Sequence, residues 1–483
     1  MTQLPLPGIA RAEDAEPSVF DRRSLDDIYG EIQNIYLADT RPWIVGYSGG
    51  KDSTSALQLI WMALRGLDVD QRRKPVYVIA SDTLVETPVI VDYIESALSR
   101  MNRAAAEQGL PIEASKVTPT VEEGFWVNLI GRGYPAPSSR FRWCTDRLKI
   151  RPANRFIRER VSEFGEVVVV LGVRRGESAT RDQVMSLHRI PGERLSRHST
   201  LPNAFVFTPV EEFTVNDIWT FLLQIDSPWG NDNYELLDLY RNAQAGECPL
   251  VVDDTTPSCG NSRFGCWVCT VVTQDHSMES LVSSGEEWLL PLLEFRDFLS
   301  ETQNPGRKLE YRDYRRMDGR VWRNRRDGSV VPGPYTLKTC KGMLRRVLEI
   351  HKKIRETGPG PQAEIIREDE LAEIRRIWRT ERQDWDDSVP LIYRSVLGCD
   401  LDWTQDDSGT FGPDERQLLR EACEGIGVPT ELVAKLLDLE RSLMGMHRRS
   451  SIYREIDRIL RKEWRPLDEL IRMTRPADAA EDS

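Results

Sequence analysis

A short apolar segment that runs into a glycine-rich turn decides the fold: residues 43–53 read Trp-Ile-Val-Gly-Tyr-Ser-Gly-Gly-Lys-Asp-Ser. Residues 43–47 predict a buried strand, and residues 53–65 predict an amphipathic helix. Glycines let backbone N–H groups approach an anion closely, and the first turn of a helix adds partial positive charge. The order strand, turn, helix therefore predicts a phosphate-binding turn.

Six consecutive residues of this turn are the predicted nucleotide contacts, and they are Ser48, Gly49, Gly50, Lys51, Asp52 and Ser53. Lys51 supplies a full positive charge, which makes it a candidate catalytic residue. Asp52, the second candidate, either caps the helix or helps to hold Mg²⁺. The pattern differs from the Walker sequence. The alternative is an ordinary strand-to-helix turn that contains a lysine by chance.

Segments of alternating type continue the pattern on both sides of the turn. The predicted buried strands are residues 76–81 and 167–171, and the predicted helices are residues 25–37 and 88–101. Strands that alternate with helices predict parallel βαβ units. Ligands bind at the carboxyl ends of strands in open parallel sheets, so Asp82 and Arg174 are predicted to meet the nucleotide. Asp82 also fits an ordinary turn position.

The predicted fold is an α/β protein with a parallel sheet and helices on both faces, followed by a cysteine-rich segment and a mainly helical C-terminal region. Its predicted parts are a lead-in helix (1–40), a nucleotide domain (41–231), a cysteine-rich segment (232–286) and a helical region (287–483). The net charge of −12 argues against non-specific binding of nucleic acid. No apolar run reaches the about 18 residues of a membrane helix, and the N-terminus lacks the pattern of a secretory signal. We therefore expect a cytoplasmic protein without a membrane partner.

Four of the eight cysteines fall close together in the sequence, and they are Cys248, Cys259, Cys266 and Cys269. Such clustering in a long chain without a signal peptide favours a metal site over disulfides. Four thiolates suffice for a [4Fe–4S] cluster and equally for structural zinc. The spacing therefore leaves three alternatives open: the cluster, zinc, or no metal. Cys248 is the weakest candidate of the four, and Cys144 is its alternative.

Several motifs together resemble the phosphoadenylyl-sulfate reductase family, a branch of the adenine-nucleotide α-hydrolase-like fold. They are the turn at 48–53, Asp82-Thr83, residues 142–149 (Arg-Trp-Cys-Thr-Asp-Arg-Leu-Lys), and Thr208-Pro209-Val210 running into Asp217-Ile218-Trp219. The turn is similar to that of ATP pyrophosphatases, which implies cleavage of ATP between the α and β phosphates. Assimilatory reductases carry a cysteine pair where this chain has only Cys144, and no reactive C-terminal cysteine follows Cys423. These departures argue against reduction of activated sulfate.

The chain resembles the DndC family of DNA phosphorothioation more closely. The likeness rests on residues 35–39, 265–270 and 341–346. It implies a [4Fe–4S] cluster, ATP and Mg²⁺ as cofactors, and DNA as substrate. It also implies a cysteine desulfurase (DndA or an equivalent) as sulfur source and DndD and DndE as partners. The SspD type of single-strand phosphorothioation is a near neighbour.

Cys144 is predicted to take part in sulfur transfer. The resemblance implies that residues 142–149 face the substrate phosphosulfate, and Arg140, Arg142, Arg147 and Lys149 would favour a thiolate there. The alternatives are that Cys144 is a further cluster ligand or an inert core thiol.

Residues 306–326 form a basic stretch with nine Lys and Arg, three acidic residues, and interleaved Tyr311, Tyr314 and Trp322. Cations with aromatic faces suit a nucleic-acid backbone and exposed bases, which predicts that the stretch faces DNA. A solvated surface with partly compensated charge is the alternative. Three rival functions remain for the whole chain: an activated-sulfate reductase, a zinc-stabilised DNA-binding or assembly subunit, and a tRNA thiolase.

Overall fold

A computed structural model gives the structure of the chain. It describes residues 17–176, 183, 186–243, 265–272, 274–283, 285–326, 328–358, 363–403, 411–442, 452–465 and 469. Cys248 and Cys259 lie outside the described residues. The chain forms two compact units: the first is Met1–Phe125, Pro137–Asp297 and Thr357–Pro359, and the second is Trp126–Ala136, Phe298–Glu356 and Gly360–Ser483. The finer division into four parts stays a prediction.

The first unit is built on one six-stranded sheet. Its strands are β1 Trp43–Gly46, β2 Val76–Ser81, β3 Ile112–Val117, β4 Val167–Val170, β5 Ser196–Arg197 and β6 Ala204–Phe207. The order across the sheet is β3-β2-β1-β4-β6-β5, and all neighbours pair in parallel except β5 with β6. The predicted parallel α/β sheet is therefore confirmed, with an antiparallel edge strand added.

Helices cover both faces of this sheet. The main helices up to residue 301 are α1 Leu25–Leu37, α2 Lys51–Arg65, α3 Pro88–Glu107, α4 Arg151–Phe164, α5 Val215–Gln224, α6 Asn233–Ala243, α7 His276–Ser283 and α8 Leu290–Glu301. Successive side chains of a strand point to opposite faces. Trp43 and Val45 of β1 accordingly join the core that includes α1, α2 and α3, whereas Ile44 joins a second core with Ile157 of α4.

The strand order opens a crevice beside β1. Strand β1 lies between β2 and β4: its Trp43 pairs with Val76 of β2 and with Val168 of β4. The chain therefore first continues to one side of β1 and later returns on the other side. The turns that follow β1 and β4 consequently run in opposite directions at the carboxyl edge. Open α/β sheets bind their ligands at such a reversal of strand order.

The second unit is mainly helical, as predicted. Its elements are the hairpin of β7 Trp322–Arg323 and β8 Val330–Val331, followed by α9 Leu337–Thr357, α10 Glu368–Glu381, α11 Ser388–Leu397, α12 Pro413–Glu424, α13 Thr430–Ser442 and α14 Ile452–Leu460. Residues 126–136 pack into this unit, where the Trp378 indole donates to the carbonyl oxygen of Ile130 at 2.9 Å. Among the described residues, no helix has both the length and the apolarity needed to cross a membrane.

Candidate active site

The phosphate-binding turn between β1 and α2 is shaped by its two glycines and two serines. Gly49 has φ +73°, which strains any residue with a side chain, and a Cβ there would lie 2.6 Å from the Ile94 Cδ1, so the position favours glycine. Gly50 is the N-cap of α2 and brings no side chain to this helix start. The Ser53 hydroxyl donates to the carbonyl oxygen of Gly50 at 3.0 Å and accepts from the Ser48 N–H at 3.2 Å. These contacts fix the turn without covering it with a bulky side chain.

Asp52 joins the two cations of the site. Its carboxylate accepts from the Lys51 ammonium at 2.9 Å, and it is also ion-paired with the guanidinium of Arg174. Lys51 and Arg174 are 3% and 4% exposed, so both charges are held out of bulk water. Buried charges interact strongly because solvent screens them little. Sequence reasoning assigned Asp52 to a cap or to Mg²⁺, whereas its described contacts make it the shared counterion of Lys51 and Arg174.

Gly172 lets the segment after β4 approach the turn. A Cβ at Gly172 would lie 2.5 Å from the carbonyl oxygen of Asp52 and 2.7 Å from the Cα of Ser53. Both are backbone atoms, which cannot move aside without shifting the turn. The absence of a side chain at Gly172 thereby places Arg174 within reach of Asp52.

We expect Gly172→Ala to destabilise the protein by about 1–3 kcal/mol, because the new methyl group overlaps backbone that has no room to give. Nucleotide affinity should fall as well, since the displaced turn carries Lys51. Urea unfolding and nucleotide titration measure the two effects. Gly30→Ala in α1 is the matched control, because a Cβ there meets nothing within 4 Å. Wild-type stability and affinity in Gly172→Ala would contradict the close approach.

Asp82 follows β2 and is buried at the same edge of the sheet. Its Oδ1 accepts from the Leu84 N–H at 2.9 Å, and its Oδ2 accepts from the Lys116 ammonium at 3.2 Å. Leu84 has φ +62°, an uncommon conformation for a bulky residue. The contacts of Asp82 within the chain are those of a turn residue, and its contact with a nucleotide stays a prediction.

Two of the four clustered cysteines lie just beyond this turn. Cys266 forms an isolated antiparallel bridge with Glu86, and the Trp267 N–H donates to the carbonyl oxygen of Val85 at 3.0 Å. The Cys269 N–H donates to the carbonyl oxygen of Cys266 at 3.0 Å, which folds the pair into one tight turn. The tertiary structure therefore brings Cys266 and Cys269 to the carboxyl end of β2.

The Cys266 side chain is partly buried in polar surroundings. Its Sγ lies 3.2 Å from the Thr83 hydroxyl and 3.7 Å from Glu86 Oε1. Burial raises the pKa of this thiol well above its usual range, and the Glu86 carboxylate adds to the rise, while Lys149 opposes it. The other carboxylate oxygen of Glu86 is buried and has no hydrogen-bond partner among the described residues.

A bound metal ion would stabilise both of these groups, since a cation favours a thiolate and a carboxylate. The described cysteine pair therefore fits a metal centre. Within the described residues no group of three or more His, Cys, Asp or Glu side chains is placed to hold a metal. Cys248 and Cys259 fall outside that part of the chain, so the complete ligand set stays a prediction.

Cys144 lies in a helical turn, Trp143–Thr145, which continues through the π-helical turn Asp146–Ile150 into α4. Its side chain is partly exposed. Trp143 stacks on Phe125 at 5.3 Å between ring centroids and thereby anchors the turn. Lys149 is near enough to Cys266 to lower its pKa. The segment that carries Cys144 therefore reaches the edge where Cys266 lies, and the role of Cys144 stays a prediction.

The basic stretch at 306–326 lies largely in the second unit and is not uniform. Arg315 is ion-paired with Asp313 and with Glu431, both at 3.0 Å, so it acts inside the unit. Arg312 donates to the carbonyl oxygen of Gly333 at 2.7 Å. Six cations of the stretch are exposed: Arg307, Arg316, Arg320, Arg323, Arg325 and Arg326. Arg307 is ion-paired with Glu301 and Glu310, and Trp322 is 58% exposed. That these exposed residues face DNA stays a prediction.

Sequence reasoning missed four residues of the site. Gly172 was signalled by its place directly after a β-branched strand. Tyr240, whose hydroxyl accepts from the Lys51 N–H at 3.2 Å, gave no local signal. Thr83 belongs to the Asp82-Thr83 motif, but neither Thr83 nor Glu86 signalled its contact with Cys266, which joins residues 180 or more positions apart.

Two protein families match separate parts of the chain. Residues 42–272 match the phosphoadenosine phosphosulfate reductase domain, which spans the turn after β1, Arg174 and Cys266. Residues 414–461 match a family described as a small protein found in certain Dnd DNA modification systems, and this segment covers α13 and α14 and nearly all of α12.

Individual proteins are similar over comparable lengths. An uncharacterized protein of Methanocaldococcus jannaschii is 26% identical over 227 residues, which are 47% of this chain and 40% of that relative's length. A phosphoadenylyl-sulfate reductase structure from Candida auris is 16% identical with a TM-score of 0.29, covering 46% of this chain and 94% of that one. The U34-tRNA thiolase NcsA of Methanococcus maripaludis, solved with its [4Fe–4S] cluster, is 11% identical with a TM-score of 0.26, covering 62% of this chain and 90% of that one. Scores this low carry no information about activity.

The sheet order, the glycine-shaped turn and the paired Lys51 and Arg174 all lie inside the first of the two matched segments. Residues 42–272 are therefore similar to a phosphoadenosine phosphosulfate reductase domain, and residues 414–461 are similar to a small-protein family found in certain Dnd DNA modification systems.

Proposed function

We propose that this protein is a nucleotide-using, sulfur-transferring enzyme of DNA phosphorothioation, of the DndC type. The observation that carries the proposal is the proximity of two chemistries on one sheet. A phosphate-binding turn with two buried cations follows β1, and the thiols Cys266 and Cys269 lie at the end of the neighbouring strand β2. The family match at 414–461 supports DNA modification as the setting.

The chemistry starts from a poor leaving group, because a non-bridging oxygen of a DNA phosphodiester does not depart unaided. In the proposed reaction that oxygen attacks the α-phosphate of ATP, a new P–O bond forms, and pyrophosphate leaves with the electron pair of the broken bond. A sulfur nucleophile then attacks the activated DNA phosphorus. AMP departs with the original oxygen. Where the nucleophile is a cysteine persulfide, a second thiol then attacks the S–S bond, so that sulfur stays on the DNA phosphorus and a disulfide forms.

The two buried cations at this edge of the sheet suit the first step. Lys51 and Arg174 would neutralise the charge that grows on the departing pyrophosphate, together with Mg²⁺. Asp52 holds both cations before substrate binds, as its contacts with each of them indicate. Preorganised cations of this kind lower a barrier because they need no reorientation during the reaction.

The cysteine-rich segment would hold the metal centre. We propose Cys248, Cys259, Cys266 and Cys269 as ligands of a [4Fe–4S] cluster, with Cys144 as the alternative to Cys248 and zinc as the alternative metal. When bound, such a cluster supplies a redox-active sulfur-rich centre beside the nucleotide. A cysteine desulfurase would provide the sulfur, DndD and DndE would be the partners, and the exposed cations around β7 and β8 would contact DNA.

A test on Cys144 separates three roles. If Cys144 carries sulfur, Cys144→Ser should retain iron and ATP cleavage while phosphorothioate formation falls to background. If it is a ligand, iron content should fall, and if it is inert, neither quantity should change. Iron analysis and mass spectrometry of digested DNA measure the outcomes. Cys399→Ser is the matched control, since Cys399 is exposed in the second unit. Unchanged product formation in Cys144→Ser would end the sulfur-transfer role.

An activated-sulfate reductase is the second candidate, favoured by the family match at 42–272. It predicts release of sulfite from adenylyl sulfate or its 3′-phosphate, with no requirement for DNA. Incubation of the anaerobic protein with either sulfate ester and a reductant, followed by sulfite assay, decides between the two. Sulfite release without DNA would replace the phosphorothioation proposal.

A further inference from the structure

A cavity of about 600 Å³ lies within the second unit, and none of its lining residues belongs to the turn after β1. Residues within 313–319, 334–337, 377–385 and 416–435, together with Lys462, supply most of its wall, so segments distant in sequence meet there. Small-molecule sites commonly have volumes of roughly 300–1,000 Å³. The size of the cavity therefore suits a ligand as large as a mononucleotide.

The wall of the cavity carries an excess of positive charge. Among the described residues it has eight Arg and Lys and only three Asp and Glu. The acids are already engaged: Asp313 and Glu431 pair with Arg315, Glu431 also pairs with Lys435, and Glu381 pairs with Arg376. Positive charge concentrated in a concave surface attracts anions.

Two cations of the wall, Arg420 and Lys462, have side-chain charged groups without a hydrogen bond or ion pair to any described residue. Lys462 is half-buried, and its stem lies against Gly319, where a Cβ would come within 2.4 Å of the Lys462 Cγ. Burial lowers the pKa of Lys462, and the nearby charges of Lys435 and Arg458 lower it further. Neighbouring cations thus repel the Lys462 ammonium group, and Glu431 offsets this repulsion only in part.

Trp385 adds an unsatisfied donor to the same wall. Its side chain is 4% exposed, and its indole N–H is buried without a hydrogen-bond partner among the described residues. A buried donor without an acceptor costs free energy unless a ligand or water supplies one. Met317 and Leu419 line the cavity as well and provide apolar surface. Cations, one donor and apolar surface together match the parts of a nucleotide.

We propose that this cavity binds the phosphate of a nucleotide, either free or as a unit of a nucleic-acid strand. Arg420 and Lys462 would neutralise the phosphate, since ionic hydrogen bonds to phosphate are among the stronger ones in proteins. Trp385 would donate to an oxygen of the ligand, and the apolar wall would contact the base or sugar. This site shares no residue with the one that uses Lys51, and it does not depend on the proposed function.

The test uses the full chain with Lys51→Ala, so that binding at the first site is weakened. Isothermal titration with ATP and with a 5′-phosphorylated 12-nucleotide single strand distinguishes the two sources of phosphate. Adding Lys462→Gln or Arg420→Gln should weaken binding about tenfold each, as expected for one lost ionic contact. Arg454→Gln is the matched control, because Arg454 is exposed in α14 and does not line the cavity.

Binding of ATP alone would identify a free nucleotide, and binding of the strand alone would identify a nucleic acid. A second measurement avoids substitutions: acetylation of Lys462, followed by mass spectrometry, should slow about tenfold when a saturating probe covers the amine. The proposal is overturned if neither probe binds, or if affinity in both variants equals that of the control and the probes leave acetylation of Lys462 unchanged.

Discussion

Replacement of Lys51 by alanine should lower the rate of ATP cleavage to AMP and pyrophosphate by about 10²- to 10³-fold. Lys51 is 3% exposed at the first turn of α2, where its ammonium would meet the charge that develops on the departing pyrophosphate. Removing it takes away one of two preorganised cations and leaves Arg174. The loss should therefore be large and still incomplete.

The fold should survive this substitution. Asp52 loses one partner and keeps its ion pair with Arg174, so no buried carboxylate is left without a counterion. Thermal unfolding checks this point, and separation of AMP from ADP after incubation with ATP measures the activity. Arg158→Ala is the matched control, because it removes an exposed cation of α4 in the same unit. Release of ADP and phosphate by the wild type, or an unchanged rate in Lys51→Ala, would contradict the assignment.

Replacement of Cys266 by serine should remove nearly all iron from anaerobically prepared protein. A serine hydroxyl is a harder and less acidic ligand than a thiol, and it binds the iron of a sulfur cluster poorly. The serine hydroxyl can keep the hydrogen bonds that Cys266 makes with Thr83 and Glu86, so the local chain should stay in place. Loss of iron would then report on ligation rather than on unfolding.

The visible spectrum, together with iron, sulfide and zinc content per chain, measures this effect. Cys269→Ser should behave in the same way, whereas Cys399→Ser, a change at an exposed thiol of the second unit, should keep wild-type iron. A colourless wild type with one zinc per chain would establish the zinc alternative. Wild-type iron in Cys266→Ser would exclude this residue as a ligand.

The elements around the turn were predictable because their signals are local. The predicted helix at 25–37 and strand at 76–81 agree with α1 and β2 to the residue, and the strands at 43–47 and 167–171 agree with β1 and β4 to one residue. A helix repeats its hydrophobic residues with a period of 3.6 positions and a strand with a period of 2. Both patterns can be read within a single segment, because they depend only on neighbouring positions. The glycine-rich turn is equally local, since its shape depends on six consecutive residues.

The position of the basic surface was only partly predictable. The sequence shows how many charges lie in 306–326 but not which of them form ion pairs. Arg315 is paired with Glu431, which lies more than a hundred residues later. Composition alone thus overestimated how much of the stretch faces solvent.

By itself the sequence determined a strand, a phosphate-binding turn, a helix and a set of cysteines. Only the tertiary structure decided what stands beside them. Arg174 reaches Asp52 across 122 positions because β4 pairs with β1 and Gly172 leaves room, and Cys266 meets Glu86 across 180 positions because the chain returns to the end of β2. Such contacts depend on strand order and close packing, which are properties of the whole sheet and leave no trace in any single segment.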